Sequence, residues 1–399
     1  MWHFALWRVA VLLLAVAPLI YYALATLAAL RFFRRERGRV LPNYTPPVSI
    51  LKPVRGVDFG SCENFSSFCR QDYPDYEILF AVSDDAELAV PVIQRIIAEF
   101  PERRIRLLVG AEHLGANHKV NKLARLAREV QNEVLVLSDG DVRVGPHYLR
   151  EVVAPLANRK TGAVTSFYRG IAEKNLGAEI EAVGASSDFF AGVLMAGWTE
   201  GISFALGASI ATSKEWLAKM GGFAAIADAL ADDYELGHRI AKAGGEVVLS
   251  REPVWTMYPR QTFRSFWEHQ VRWARTVRLC RPLAYLGLLF TQGLPWTLLA
   301  MLVAPSTWIA GTYLLAYLTL RFAMAWTVGV WGIGDEVLRR KIWLVPLRDA
   351  IHFVIWLASF GSNHVRWDNV EYAVRQGRMV PIAGSGSAAA KPAENMPRL

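Results

Sequence analysis

Cysteine is scarce in this chain: Cys62, Cys69 and Cys280 are the only three in 399 residues, and they have no metal-ligand spacing. A disulfide framework is excluded by so low and odd a count, which points to a reducing compartment around the main domain. Charge is low as well. Asp, Glu, Lys and Arg make up 20% of the chain, against about 25% in a typical soluble domain. With 53% hydrophobic residues and a mean hydropathy of +0.21, the chain leans towards the membrane without being embedded throughout. The net charge of +8 comes with no zinc-finger, helix-turn-helix or RNP pattern, so nucleic acid is not an expected partner. No internal repeat of solenoid or transporter period is visible. Aromatic residues, by contrast, are plentiful: 14 Trp, 13 Tyr and 19 Phe, spread without a tripeptide period, exclude a disordered or collagen-like chain.

The positive charge sits where a membrane protein keeps it. Val9 to Leu30 carries no charge and is followed directly by Arg31, Arg34, Arg35, Arg37 and Arg39. Such a run spans about 30 Å of hydrocarbon, and basic residues behind it mark the cytosolic side. A cleaved signal peptide would instead have its basic residues before a shorter apolar stretch. Residues 1–40 are therefore expected to be an uncleaved anchor. Leu283 to Leu320 is also uncharged, broken near Ala304-Pro305-Ser306, and predicts two spans, the second running past Arg321 to near Gly334. The basic loop at Arg339, Arg340 and Lys341 is expected in the cytosol. Ile342 to Gly361 offers a third span interrupted by Arg348, Asp349 and His352. The C-terminal membrane region is thus set at 282–365 with two or three helices, followed by a tail at 366–399. That tail is rich in Ser, Ala and Pro and expected to be disordered from about 384.

Between the membrane segments, residues 41–281 read as an α/β domain. Short apolar runs at Val48–Leu51, Ile78–Val82, Ile105–Val109, Val134–Leu137 and Val247–Leu249 have the character of buried strands, and helical patterns at Val90–Phe100 and Lys119–Val130 lie between them. This alternation predicts a mostly parallel sheet with flanking helices. Residues 186–211 contain only Asp188 and Glu200 as charges; they fit either a buried core element or a helix lying in the membrane interface.

Four clusters carry chemistry. Two apolar strands end in acids, one at Asp84-Asp85 and the other at Asp139-Gly140-Asp141; a third acidic group is Asp232-Asp233, and a helix beginning near Phe263 bears His269-Gln270-Val271-Arg272-Trp273. In open parallel sheets ligands bind at the carboxyl ends of strands. An Asp-x-Asp there can hold a hard divalent cation, with substrate phosphates completing its shell. A later Asp can take a proton from an attacking hydroxyl, and Arg272 can offer its planar fork to a diphosphate. Each feature alone is also explained as a turn, a helix cap or an interfacial anchor; the ordered set is what is informative.

The order Asp84, Asp139, Asp233, Arg272-Trp273 resembles the signature of the ceramide glucosyltransferase family, Asp, Asp, Asp, (Gln/Arg)-x-x-Arg-Trp. The resemblance extends to Val48-Ser-Ile-Leu-Lys52-Pro53-Val-Arg-Gly56, Gln71-Asp72-Tyr73-Pro74, Asn117-His-Lys119-Val-Asn121-Lys122 and Ala231-Asp-Asp-Tyr234. It implies a GT-A-type fold with transmembrane helices at both ends, and inverting transfer of one sugar from a UDP-sugar, glucose favoured, to a membrane lipid. A divalent cation, Mg²⁺ or Mn²⁺, would assist at the cytosolic membrane face, most plausibly of a bacterial cell. By that analogy Pro53 and Asp84 line the uridine pocket, Lys119 and His269 lie by the nucleotide-sugar, and Asp139 and Asp141 lie near the metal and diphosphate. Asp233 is then the base, and Arg272 and Trp273 meet the diphosphate and the acceptor entrance. His269 departs from the signature's Gln or Arg, and Gln270 comes one residue late, about 100° round a helix. The related bacterial hopanoid glycosyltransferases, using UDP-N-acetylglucosamine, resemble this chain too, so the acceptor is either ceramide or a hopanoid polyol. Two rivals are a processive polysaccharide synthase, which would need more membrane helices, and a nucleotide-binding membrane module without activity, which would not need the whole acid series.

Overall fold

The computed structural model describes residues 2–367, 370–375 and 377–382; the stretch expected to be disordered from about 384 lies outside them. At its centre is an eight-stranded sheet of β1 (Val48–Pro53), β2 (Tyr76–Val82), β3 (Arg104–Val109), β4 (Val134–Ser138), β5 (Val142–Arg143), β6 (Thr161–Ala172), β7 (Ser209–Ser213) and β8 (Glu246–Tyr258), in the order β3-β2-β1-β4-β7-β6-β8-β5. β3, β2, β1 and β4 run parallel, as do β6 and β8, while β7 runs antiparallel to both β4 and β6. The fold is therefore α/β with a mostly parallel sheet and flanking helices, and all five apolar runs lie inside strands.

The reason the first half reads so clearly is burial on both faces. Every residue of β1, β2 and β4 is buried, and a strand covered on both sides needs an unbroken apolar run rather than an alternating one. Helices Ser61–Cys69, Ala89–Glu99 and His118–Glu129 are the crossovers. β6 is different. Its sequence mixes Thr, Ser, Gly and Arg with apolar residues; the buried Thr165 hydroxyl bonds the main-chain oxygens of Leu206 and Ser209, while the buried Ser166 hydroxyl has no partner among the described residues.

Among the described residues, four helices are long and apolar enough to cross a membrane: Leu6–Arg37, Leu176–Thr199, Thr307–Ile333 and Glu336–Ser359. A bent pair, Pro282–Thr291 and Gly293–Val303, makes a fifth candidate. The N-terminal helix buries a stripe of Tyr22, Ala25, Ala29 and Phe33 and leaves Leu6, Leu13, Ile20 and Leu27 exposed. Small residues on the buried stripe let neighbouring helices approach closely. The stretch 186–211 begins inside Leu176–Thr199, a helix two thirds buried in the protein across its apolar window and widened to a π-turn at Ala185–Phe189.

Across the expected boundary between the membrane region and the tail, β9 (His364–Trp367), β10 (Val370–Arg375) and β11 (Arg378–Pro381) form a separate three-stranded antiparallel sheet. It is tied to the main body at two places. Leu230 N donates to Gly377 O and Met379 N to Asp228 O, while Arg275 and Arg278 of helix Phe263–Cys280 donate to the main-chain oxygens of His364 and Ser362.

Candidate functional site

Because β1, β2 and β4 are parallel neighbours, their carboxyl ends share one edge of the sheet. β1 ends at Lys52-Pro53 and β4 at Ser138, one residue before Asp139. The Lys52 side chain is fully buried; its Nζ donates to the main-chain oxygen of Asp139 at 2.7 Å and lies 3.9 Å from the centre of the Phe68 ring. Burial pushes the Lys52 ammonium down to about 7, against the pull of Asp139 and Asp141.

Helix His118–Glu129 brings the second lysine. Asn117 caps it, its Oδ1 accepting from Lys119 N and Val120 N, while its Nδ2 donates to Ala229 O and Asp232 Oδ1. One asparagine thus sets the helix start and fastens it to the segment carrying the third acidic group. Lys119 Nζ stands 2.7 Å from Asp139 Oδ1 and 3.2 Å from Asp232 Oδ2. Burial alone would lower this ammonium, but Asp139, Asp232 and Asp233 outweigh it and hold the group well above its ordinary value.

Asp232 and Asp233 occupy the first turn of helix Asp232–Lys242, where carboxylates suit the helix dipole. Burial, and then the charge of Asp232, pushes the Asp233 carboxyl up to about 6 although Lys119 opposes it. Gly207 makes room for it: a Cβ on that residue would lie 2.9 Å from Asp233 Oδ2. Asp141, beyond the Gly140 turn, is pushed up to about 7 by burial, with Asp139 and then Asp58 adding to the effect. Crowded acids of this kind suit a bound cation. Among the described residues no three His, Cys, Asp or Glu side chains gather as a ligand set. Asp139 and Asp141 flank the turn after β4, and an ion such as Mg²⁺, which takes one or two carboxylates, would draw the rest of its shell from water and phosphate oxygens.

The fourth cluster stands on helix Phe263–Cys280, capped by Thr262, whose hydroxyl accepts from Ser265 N. His269 and Trp273 are one turn apart, ring centroids at 5.7 Å. His269 Nδ1 meets Glu181 Oε1 at 2.8 Å, and Gln261 Nε2 donates to Glu181 Oε2 at 2.7 Å. Trp273 packs edge-on against Phe189 at 6.2 Å and remains 40% exposed. Arg272 is half-buried with no ion pair among the described residues; burial pushes its guanidinium down and Glu181 opposes that.

Pro53, Lys119 and Asp139 line one crevice together with Gly207 and Asp232. Asp233 adjoins it through Gly207. Asp84 is exposed at the neighbouring strand end, its Oδ1 accepting from Ala86 N, and among the described residues it makes no contact with the lysine-bridged acids. The loop between is held by Glu87, which accepts from Gly56 N, and by Lys122, which donates to Val54 O. Sequence reasoning did not single out Asp232 as the second acid on Lys119, nor Glu87, nor Glu181 as the partner of His269. Asp232 is signalled by its place beside Asp233; Glu181 lies in an apolar helix far along the chain and has no local signature.

The chain is similar in sequence to known proteins. "Ceramide glucosyltransferase 1" of Caenorhabditis elegans is 24% identical over 243 residues, 60% of this chain and 52% of the relative. "Ceramide glucosyltransferase" of Candida albicans is 32% identical over 123 residues, 27% of this chain and 22% of the relative. At best, then, the chain spans about half the length of the curated relatives it matches. Among solved structures, the mannosyltransferase PcManGT from Pyrobaculum calidifontis in complex with GDP-Man and Mn²⁺ is 18% identical with a TM-score of 0.48, over 87% of this chain and 97% of that one. Residues 10–380, which take in the first membrane-length helix, the whole acid series, Arg272-Trp273 and the C-terminal sheet, match one family over nearly their full extent, and the chain belongs to glycosyl transferase family 21.

Proposed function

We propose that this protein is an inverting glycosyltransferase that moves one sugar from a UDP-sugar, glucose favoured, onto the hydroxyl of a membrane lipid, ceramide favoured. The observation that carries the reading is the convergence of Asp139, Asp232 and Lys119 in one crevice at the strand ends, with Asp233 beside them across Gly207. Family membership and the ceramide glucosyltransferase relatives support it, as do the helices of membrane length on either side. The catalytic domain is assigned to the cytosolic face, of a bacterial cell membrane by preference.

In this mechanism the lipid hydroxyl attacks the anomeric carbon from the face opposite UDP, through an oxocarbenium-like transition state analogous to that of glycosidases. Asp233 takes the hydroxyl proton as the new bond forms; its raised carboxyl makes it a better base than an exposed aspartate. Lys119 holds Asp139 and Asp232 in place. Arg272, free of an internal ion pair, binds the diphosphate, where its charge counters the negative charge growing on the leaving group. Pro53 and Asp84 border the nucleoside, and Trp273 stands at the acceptor entrance. His269, turned to Glu181 through Nδ1, keeps Nε2 for the donor. A Mg²⁺ or Mn²⁺ ion held by Asp139 and Asp141 would supply Lewis-acid stabilisation of the diphosphate.

His269 in place of the signature's Gln or Arg leaves a second reading open, a hopanoid polyol acceptor with UDP-N-acetylglucosamine. UDP release by the purified protein in detergent with Mg²⁺ or Mn²⁺, crossing UDP-glucose, UDP-galactose, UDP-glucuronate and UDP-N-acetylglucosamine against ceramide and bacteriohopanetetrol, tests both. Turnover with ceramide is expected. Turnover only with the hopanoid transfers the function to the second reading, and release with neither lipid rejects both acceptors. Polymeric product would identify a processive synthase.

A further inference from the structure

Two acid–base pairs between the helices of membrane length are built differently. Arg321 and Asp349 form a closed pair: Nε and Nη2 of the arginine donate to both carboxylate oxygens at 2.8–3.2 Å, Tyr317 donates to Asp349 Oδ2, and Arg321 Nη1 donates to Ser187 O. Only 2% and 10% of these two side chains is exposed. Every strong group in this pair has a partner, which suits a structural fastener.

The second pair, Asp188 and His352, makes a single contact of 3.1 Å and leaves 28% and 24% of its side chains exposed. Behind it lies Arg348, 92% buried, whose Nε and Nη1 have no hydrogen-bond partner. Asp188, Asp349 and Glu181 are its acidic neighbours. Arg348 fits only because residue 184 is glycine: a Cβ there would stand 2.1 Å from the arginine Nε. An orphaned, desolvated guanidinium and a half-open acid–imidazole pair are both costly in an apolar setting unless something polar completes them. Asp188 lies in the π-turn Ala185–Phe189, a distortion often found at functional sites. The next residue, Phe189, packs on Trp273, and Glu181 joins the same helix to His269. The unsaturated cluster thus adjoins the helix that bears Arg272.

We propose that Asp188, His352 and Arg348 form the subsite that receives the polar head of the lipid acceptor, an inference that rests on the transferase reading. Asp188 accepts a hydrogen bond from a head-group hydroxyl, while His352 or Arg348 donates to a neighbouring oxygen. The chemistry recognised is therefore a lipid alcohol with a second oxygen function close by, either the amide of a ceramide or the next hydroxyl of a polyol.

The test uses the full-length protein in detergent, with Asp188→Asn and His352→Gln as near-isosteric variants. Expected is a tenfold or greater rise in acceptor KM for both, with calorimetric UDP affinity unchanged. Retention of ceramide or bacteriohopanetetrol, read by native mass spectrometry, should fall in parallel. Unchanged KM and unchanged lipid retention in the two variants overturn the subsite. If the unmodified protein turns over neither lipid, the transferase reading loses its acceptors, and lipid retention alone decides the subsite by the same criterion. Should either variant lose UDP binding through misfolding, a ceramide or bacteriohopanetetrol carrying a head-proximal diazirine is photolysed on the unmodified protein instead. Cross-links within residues 184–190 and 348–356 uphold the proposal, and cross-links confined elsewhere overturn it.

Discussion

The molecule holds two cation–carboxylate clusters that differ in how completely they are satisfied. At the strand ends one ammonium, Lys119, is shared by Asp139 and Asp232, and the three side chains stay 24%, 33% and 13% exposed. Among the membrane-length helices one guanidinium, Arg321, is locked to one carboxylate, Asp349, and both are sealed. In the first cluster acids outnumber the cation, so a proton is held tightly and a further cation would be welcome. In the second, charge and hydrogen-bond capacity balance, and nothing is left over for a ligand. Reactivity here follows from surplus acid in an open setting, while rigidity follows from balance in a closed one.

The sharpest way to break the comparison is to remove a charge from each side. Asp233→Asn should lower kcat by about 10²–10⁴-fold, the usual contribution of a general base, while UDP affinity measured by calorimetry stays the same. Since burial makes the ionised Asp233 unfavourable, this inactive variant should melt no lower than the parent at pH 7. Loss of UDP binding with residual turnover would reassign Asp233 to the donor. On the closed side, Arg321→Met strands the carboxylate of Asp349 and should cost about 3–5 kcal/mol in detergent unfolding. Adding Asp349→Leu should recover most of that loss, because the stranded charge is then gone. A double variant as unstable as the single one would show that the pair contributes more than its own charge balance.

A milder perturbation is pH. The Asp233 carboxyl is raised from 3.8 to about 6, so the base is ionised above about pH 6 and protonated below it. The kcat/KM profile should therefore fall tenfold per pH unit on the acid side of about 6. The stability effect has the opposite sense: a raised carboxyl binds its proton more tightly in the folded state, so the cost of ionising it in place appears as pH rises from 3.8 through 6. An acid limb near 4 would mean that the acting base is solvated.

Much of this was legible in the residues, for identifiable reasons. β1, β2 and β4 announce themselves because two-sided burial demands continuous Val, Ile and Leu. The acids at their ends are legible because parallel strands bring consecutive carboxyl ends to one edge. β6 is hidden, since its buried Thr165 is satisfied by the 206–209 segment rather than by a pattern of its own. β9 to β11 are hidden because their buried residues Val365, Tyr372, Val374 and Met379 pack on Leu230, far away in sequence. The bond from Glu181 to His269 is equally unreadable: an isolated glutamate in an apolar helix carries no period that names its partner. Arg348, Asp349 and His352 weaken the last span when read as a string, whereas in the folded chain each faces acids or bases on other helices.

The C-terminal sheet gives the catalytic loop an unusual dependence on synthesis. Residues 228–230, just ahead of Asp232-Asp233, exchange backbone hydrogen bonds with 377–379, Leu230 N donating to Gly377 O and Asp228 O accepting from Met379 N. A nascent chain whose last strands have not yet left the ribosome therefore lacks the brace for its own acid pair, even with the eight-stranded sheet already assembled. Turnover is therefore expected only from chains whose closing strands have docked, and chains stalled or cut short before residue 377 are expected to lack it.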